Sequence, residues 1–138
     1  MKVNILLILA MLSLTSETAA ASVNDIAVYA VEKSRSSVFI AEQTSYTKTF
    51  EVTLKNMSEE AVSLSGLCIK GVSPDGKEYV MSPAGNDIMK GMLQPQKTVR
   101  GILSAVGDNS AIHKITLAKP SDDCTHSENG TLPFTLTD

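Results

Sequence analysis

Tryptophan is absent from this sequence, and only three Phe and three Tyr are spread over its 138 residues. A core built from it must be aliphatic. An antibody-type domain, which packs a central Trp against its disulfide, is disfavoured. Cations are few and scattered, with 12 Lys and Arg against 15 Asp and Glu for a net charge of −3. Without clustered Lys and Arg there is no footprint for nucleic-acid phosphates. Catalytic signatures are missing as well. The serines lack a G-x-S-x-G elbow, and Gly66, Gly71 and Gly76 fit neither a dinucleotide nor a Walker pattern. Glu59-Glu60 and Asp122-Asp123 are adjacent pairs in polar turns. Neighbours on a strand point to opposite faces, so neither pair acts as one acid–base unit. The expectation is a protein that is not an enzyme and carries no cofactor.

What is present begins with an address. Met1-Lys2 is a short positive start, Val3 to Leu14 is apolar apart from Asn4 and Ser13, and Ala19-Ala20-Ala21 supplies small residues. This is the three-part layout of a secretory signal peptide. Its apolar core of about a dozen residues is short of the roughly 20 that span a membrane. Cleavage is predicted after Ala21, with residues 1–21 as leader and 22–138 as one mature domain. Removing 21 of 138 residues leaves 117. That domain has no long apolar run, so the expected location is periplasmic or secreted, with no membrane attachment after cleavage.

Export gives meaning to the two cysteines. Cys68 and Cys124 form a sparse, even pair, and neither lies in a C-x-x-C arrangement. In an oxidising compartment such a pair reads as one disulfide, and a loop of that size would stabilise the fold by about 4 kcal/mol. Free thiols and a metal site are the alternatives.

The mature chain reads as strands. Tyr46, Phe50, Val52 and Leu54 fall at even positions of Tyr46 to Lys55, with Thr47, Thr49, Glu51 and Thr53 between them. Period two with β-branched and aromatic residues marks a half-buried strand. Ile26 to Val31 and Ser37 to Glu42 read as two further strands, separated by the polar cluster Glu32 to Arg35. Val62 to Lys70 switches parity at Gly66, which predicts a bulge or bend. Ser73-Pro74-Asp75-Gly76 is a turn in which Pro presets φ, Asp bonds locally and Gly takes positive φ, so Glu78 to Met81 returns as a hairpin partner. Residues 82–95 read mostly as loop, Thr98 to Val106 as strand, and Gly107 to Ser110 as turn. Ile112 to Ala118 reads as a strand ended by Pro120, and Thr131 to Thr137 as a last, edge-type strand. Short strands with regular turns and no convincing helix predict an all-β, immunoglobulin-like β-sandwich of seven to eight mostly antiparallel strands.

Phe50 to Asn56 followed by Pro74 to Tyr79, and Leu93 to Lys97 leading to Gly101, resemble small exported bacterial immunoglobulin-like domains of unknown function. The resemblance covers residues 46 to 118 and implies architecture with little chemistry. Asn109 to His113 also resembles the approach to the tyrosine corner of antibody-type domains. There His113 stands for the Tyr and Ile115 for the Cys, and both departures argue against that family.

Two function classes follow. The first is a binding or structural module holding another protein, or itself, through a sheet edge or the 82–95 loop. Ile26 to Val31 and Thr131 to Thr137 are the candidate edges, and Ile88, Met89, Met92 and Leu93 the candidate contact residues of the loop. The second is a periplasmic copper or zinc binder. Soft thioethers suit Cu(I), and Met89, Met92, His113 and His126 are its candidate ligands, with Cys124 in the polar run Asp122 to Glu128 as an addition. Asn56-Met57-Ser58 and Asn129-Gly130-Thr131 fit the glycosylation sequon, which has consequences only in a eukaryotic host.

Overall fold

The computed structural model describes residues 23–125. The expected leader, its cleavage site at Ala21, His126 and the expected strand Thr131 to Thr137 lie outside the described residues. After a short 3-10 turn at Val23–Asp25 come β1 (Ile26–Ile40), β2 (Gln43–Asn56), β3 (Val62–Ser63), β4 (Cys68–Val72) and β5 (Glu78–Val80). They are followed by β6 (Ser82–Pro83), β7 (Met92–Leu93), β8 (Thr98–Gly107), a 3-10 helix at Ser110–Lys114 and β9 (Leu117–Ser121). One sheet runs β1-β2-β8-β6, a second β5-β4-β9, and β3 pairs with β7. Every pairing is antiparallel. The fold is an immunoglobulin-like β-sandwich, as the strand pattern predicts.

The core forms where the inward rows of the sheets meet. Phe50, Val52 and Leu54 of β2 and Leu103 and Ala105 of β8 cluster with Ile69 of β4, Tyr79 of β5 and Ala118 of β9. Val52, Leu54, Leu103 and Ala105 are completely buried. The even positions of β2 thus face inward, as its alternation requires. Two glycines let the layers close. A Cβ at Gly71 would come within 2.8 Å of Ile115 Cγ2, and one at Gly101 would overlap the side chain of Ile88.

The turn at Ser73 to Gly76 forms as expected. Gly76 sits at φ 91°, and its amide donates to Ser73 O at 2.9 Å. The chain also bends at Gly66, where Leu67 N donates to Leu64 O, and the turn divides the expected strand Val62 to Lys70 into β3 and β4, which pair in different sheets. Three further expectations change. Ile26 to Val31 and the Ser37 to Ile40 part of the second run are one 15-residue strand, because Glu32 to Arg35 are absorbed by a bulge between Glu32 and Ser34. The polar cluster stays in the ladder because its side chains are solvated at an edge. Ala41 and Glu42 then turn the chain with φ of 53° and 66°. Two positive φ values between paired strands define a type I′ hairpin, although neither residue is the expected Gly or Asn.

Ile112 to Ala118 is not one strand. Ile112 and Ile115 are both fully buried, and a spacing of three is the period of a 3-10 helix. Asn109 caps that helix by accepting from Ala111 N at 2.8 Å. Pro120 lies inside β9, whose one partner strand among the described residues is β4. A missing N–H is tolerated at such an edge. Finally, the stretch 82–95 contributes two short strands, β6 and β7.

The packing predicts that Gly101→Ala lowers the unfolding free energy by about 1–3 kcal/mol through overpacking. In an Ile88→Ala background the same change should cost much less. Urea denaturation of the two single variants and the double variant measures the coupling, and simple additivity would contradict the contact.

Candidate interaction surface

The three most exposed large apolar side chains, Phe39, Tyr29 and Val31, lie on β1. Tyr29, Val31, Val38, Phe39 and Ile40 are between 46% and 71% exposed. The register explains their arrangement. Tyr29 pairs with Thr53, Val31 with Glu51, Val38 with Ser45 and Ile40 with Gln43. All four partners are odd positions of β2, so the four side chains share the face opposite the Phe50, Val52 and Leu54 row, although Ser45 beside Val38 is only 5% exposed. The bulge at Lys33 makes this possible, because it shifts parity by one residue between Val31 and Val38. Phe39, opposite Thr44, falls on the other face. The β2–β8 ladder ends at Tyr46 opposite Gly107, so the tip of the β1–β2 hairpin projects beyond β8 as an arm. Among the described residues β1 has one partner strand and lies at an edge of its sheet.

The base of the arm is held by a buried cation. Lys48 takes an inward, even position of β2 and is only 5% exposed. Its ammonium donates to Ile115 O at 2.6 Å and His113 O at 3.0 Å. Glu32 Oε1 lies 3.6 Å away, and the Phe50 ring centroid 5.5 Å away. The last carbonyls of a helix lack partners within it and carry partial negative charge, so Lys48 closes the C-terminal end of the Ser110–Lys114 helix. Glu32 also accepts from Arg35 Nε at 3.0 Å. His113 Nε2 donates to Ser36 O at 2.9 Å, and its ring meets Tyr46 edge-on with centroids 5.4 Å apart. One ammonium thereby ties the helix end to both strands of the arm.

A second charged cluster lies beside the disulfide. Cys68 and Cys124 are bonded, with Cα atoms 5.8 Å apart. Glu78 binds Lys119 at 2.6 Å and the nearly buried Lys70 at 3.5 Å. The hydrogen bond from Lys119 is the main cause holding the Glu78 carboxyl below its ordinary value, helped by Lys70. Asp123 is held down mainly by hydrogen bonds from Thr125, and Asp75 mainly by the Ser73 hydroxyl.

The structure separates the residues singled out in the sequence. Ile88 and Leu93 belong to the core at 7% and 5% exposure, Met89 is half-buried, and Met92 is exposed. Burial of Ile88 and Leu93 narrows the contact surface of the 82–95 loop to Met92 and its polar neighbours. His113 is engaged with Ser36 and Tyr46. The disulfide occupies both thiols, which removes Cys124 from any metal set while the bond is intact. Among the described residues no group of three or more His, Cys, Asp or Glu could hold a metal ion. No described helix is long and apolar enough to cross a membrane.

Asn56, half of a glycosylation sequon, is fully buried. Its amide donates to Glu60 O at 2.7 Å and Leu93 O at 2.9 Å, and its oxygen accepts from Ser58 N at 2.9 Å. The Asn-Met-Ser spacing is a structural staple rather than an acceptor for sugar. Sequence reasoning missed Lys48 and the arm. The one available signal was the even position of Lys48 in an inward-facing row.

The geometry defines a β-sandwich module with a clamped, apolar-tipped hairpin. The chain belongs to the DUF4354 family, a domain of unknown function, which matches residues 1–122. No curated protein matches it. The fold is similar to the crystal structure of an ApaG protein from Pseudomonas aeruginosa PAO1, with a TM-score of 0.67 and 23% identity over 73% of this chain and 98% of that one. At that identity the likeness speaks for the fold.

Lys48→Met should lower the unfolding free energy by about 1.5–3 kcal/mol, because two carbonyls lose a charged donor. It should also speed tryptic cleavage at Lys33 and Arg35. Unchanged urea midpoint and unchanged cleavage would show that the clamp is dispensable. For pH, Glu78 has a folded value depressed from 4.5. Its contribution is therefore full above 4.5 and is lost as pH falls through the lower folded value. Asp75 and Asp123, depressed from 3.8, act in the same direction at still lower pH. Melting temperature should decline on acidification below about pH 4.5, and Glu78→Gln should flatten the first part of that decline.

Proposed function

We propose that this protein is an exported, non-catalytic binding module that engages a protein partner along the outer edge and tip of the β1–β2 arm. The observation that carries the reading is the row Tyr29, Val31, Val38 and Ile40, aligned on one face of an edge strand, with Phe39 71% exposed beside it. An aligned apolar row on an edge strand invites strand addition, in which main-chain bonds supply affinity and alternate side chains supply specificity. Solvent-exposed apolar clusters of this kind mark interaction sites. Export is supported by the leader-like first 21 residues and by the Cys68–Cys124 disulfide.

The test is cross-linking in the producing cell. A photo-reactive residue replaces Phe39 in one strain and the exposed Lys90 of the 82–95 loop in another. The expected result is a protein adduct from position 39 and none from position 90. No adduct at 39, or an adduct at 90 alone, would defeat the arm reading and return attention to the loop.

A further inference from the structure

The sequence of β1 is nearly self-complementary about its middle. Apolar Ala27 to Val31 lie on one side, apolar Val38 to Ile40 on the other, and the polar run Glu32 to Ser37 between them. We propose that the partner at this edge is a second copy of the chain, bound β1 to β1 in antiparallel register about a two-fold axis between Lys33 and Ser34. This rests on the reading of the arm as an interaction edge and names its occupant.

The register follows from face and charge. Placing Tyr29 opposite the partner's Val38 also sets Ala27 against the partner's Ile40 and Val28 against the partner's Phe39. Every such pair joins residues of the same sheet face, because the bulge at Lys33 has exchanged the parity of the two halves. A shift of one residue would set opposite faces against each other. In the proposed register Glu32 stands opposite the partner's Arg35, and the pair occurs twice by symmetry. Glu32 and Arg35 are already bound within each chain at 3.0 Å, and Arg35 remains 55% exposed. The dimer thus brings two acids and two guanidinium groups into one exposed network, which fixes register more than affinity. Lys33 falls opposite Ser34 and meets no like charge directly. A slip by two residues in one direction sets Glu32 against Ser37 and loses both charge pairs; in the other it keeps Glu32 opposite a cation, Lys33, but sets Tyr29 against Ser36 and Val28 against Ser37 and loses those apolar pairs. An isologous contact of this kind closes on itself, since one edge meets its own copy.

Sedimentation velocity of the purified exported protein across a concentration series should show a dimer whose share rises with concentration. Val38→Lys with Phe39→Lys, both at exposed positions, should give a monomer with an unchanged circular dichroism spectrum. Register is read by cysteine pairing. Mild oxidation of a mixture of Tyr29→Cys and Val38→Cys proteins should give a covalent dimer joining one of each, and each variant alone should give little. Efficient joining of Val31→Cys to Val38→Cys instead would overturn the register. A monomer at every concentration would overturn self-pairing. In that case a Phe39 adduct to a different protein would leave the arm reading intact, and absence of any adduct would remove both.

Discussion

Lys48 is the residue on which the arrangement of the arm depends. Its ammonium is buried, and burying a charge is costly unless fixed partners replace its water. Here the replacement is two backbone carbonyls at the end of a 3-10 helix, with Glu32 nearby. The carbonyls belong to the helix end, Glu32 to β1 and Lys48 itself to β2, so satisfying one cation places three segments at once. The helix end settles under β2, β1 is held in line through Glu32, and His113 is left in position to reach Ser36.

The second sheet is secured by other means. There the Cys68–Cys124 bond ties β4 to the segment after β9, and Lys70, Glu78 and Lys119 link the three strands of the second sheet. Asn56 performs the same task between the end of β2 and β7. Polar staples at the periphery leave the centre to aliphatic packing, in keeping with a chain that has no Trp and few other aromatics. The result is a stapled sandwich carrying one projecting hairpin. Membership of DUF4354 and the likeness to an ApaG protein establish the family and the architecture. The case for binding rests on the exposed row of β1, a property of this chain's own residues.

Local rules sufficed wherever neighbouring residues meet the same environment. Tyr46 to Lys55 alternates because one face is core and the other solvent, and Ser73 to Gly76 turns because Pro, Asp and Gly each have local reasons to do so. The sandwich class and the bend at Gly66 were legible on the same grounds, and the pairing of the two cysteines from their number and the leader-like N-terminus. The arm was not. Glu32 to Arg35 reads as a break because four polar residues usually end a strand, and Ala41-Glu42 carries no turn signal. Their conformations depend on β2 returning alongside, with a ladder strong enough to hold a bulge and a type I′ turn without glycine.

Composition and alternation therefore decide that this chain forms an aliphatic β-sandwich, because burial of apolar faces is a local pattern summed along each strand. They do not decide which face a residue takes beyond a bulge, which lysine is buried, or whether Ile88 and Leu93 meet solvent or core. Those outcomes depend on groups far apart in sequence. Lys48 finds carbonyls 65 and 67 positions away, and Ile88 packs on Gly101 of a neighbouring strand. The solvent-facing row of β1 arises in the same way, since its alignment needs both the bulge and the partner strand that registers it.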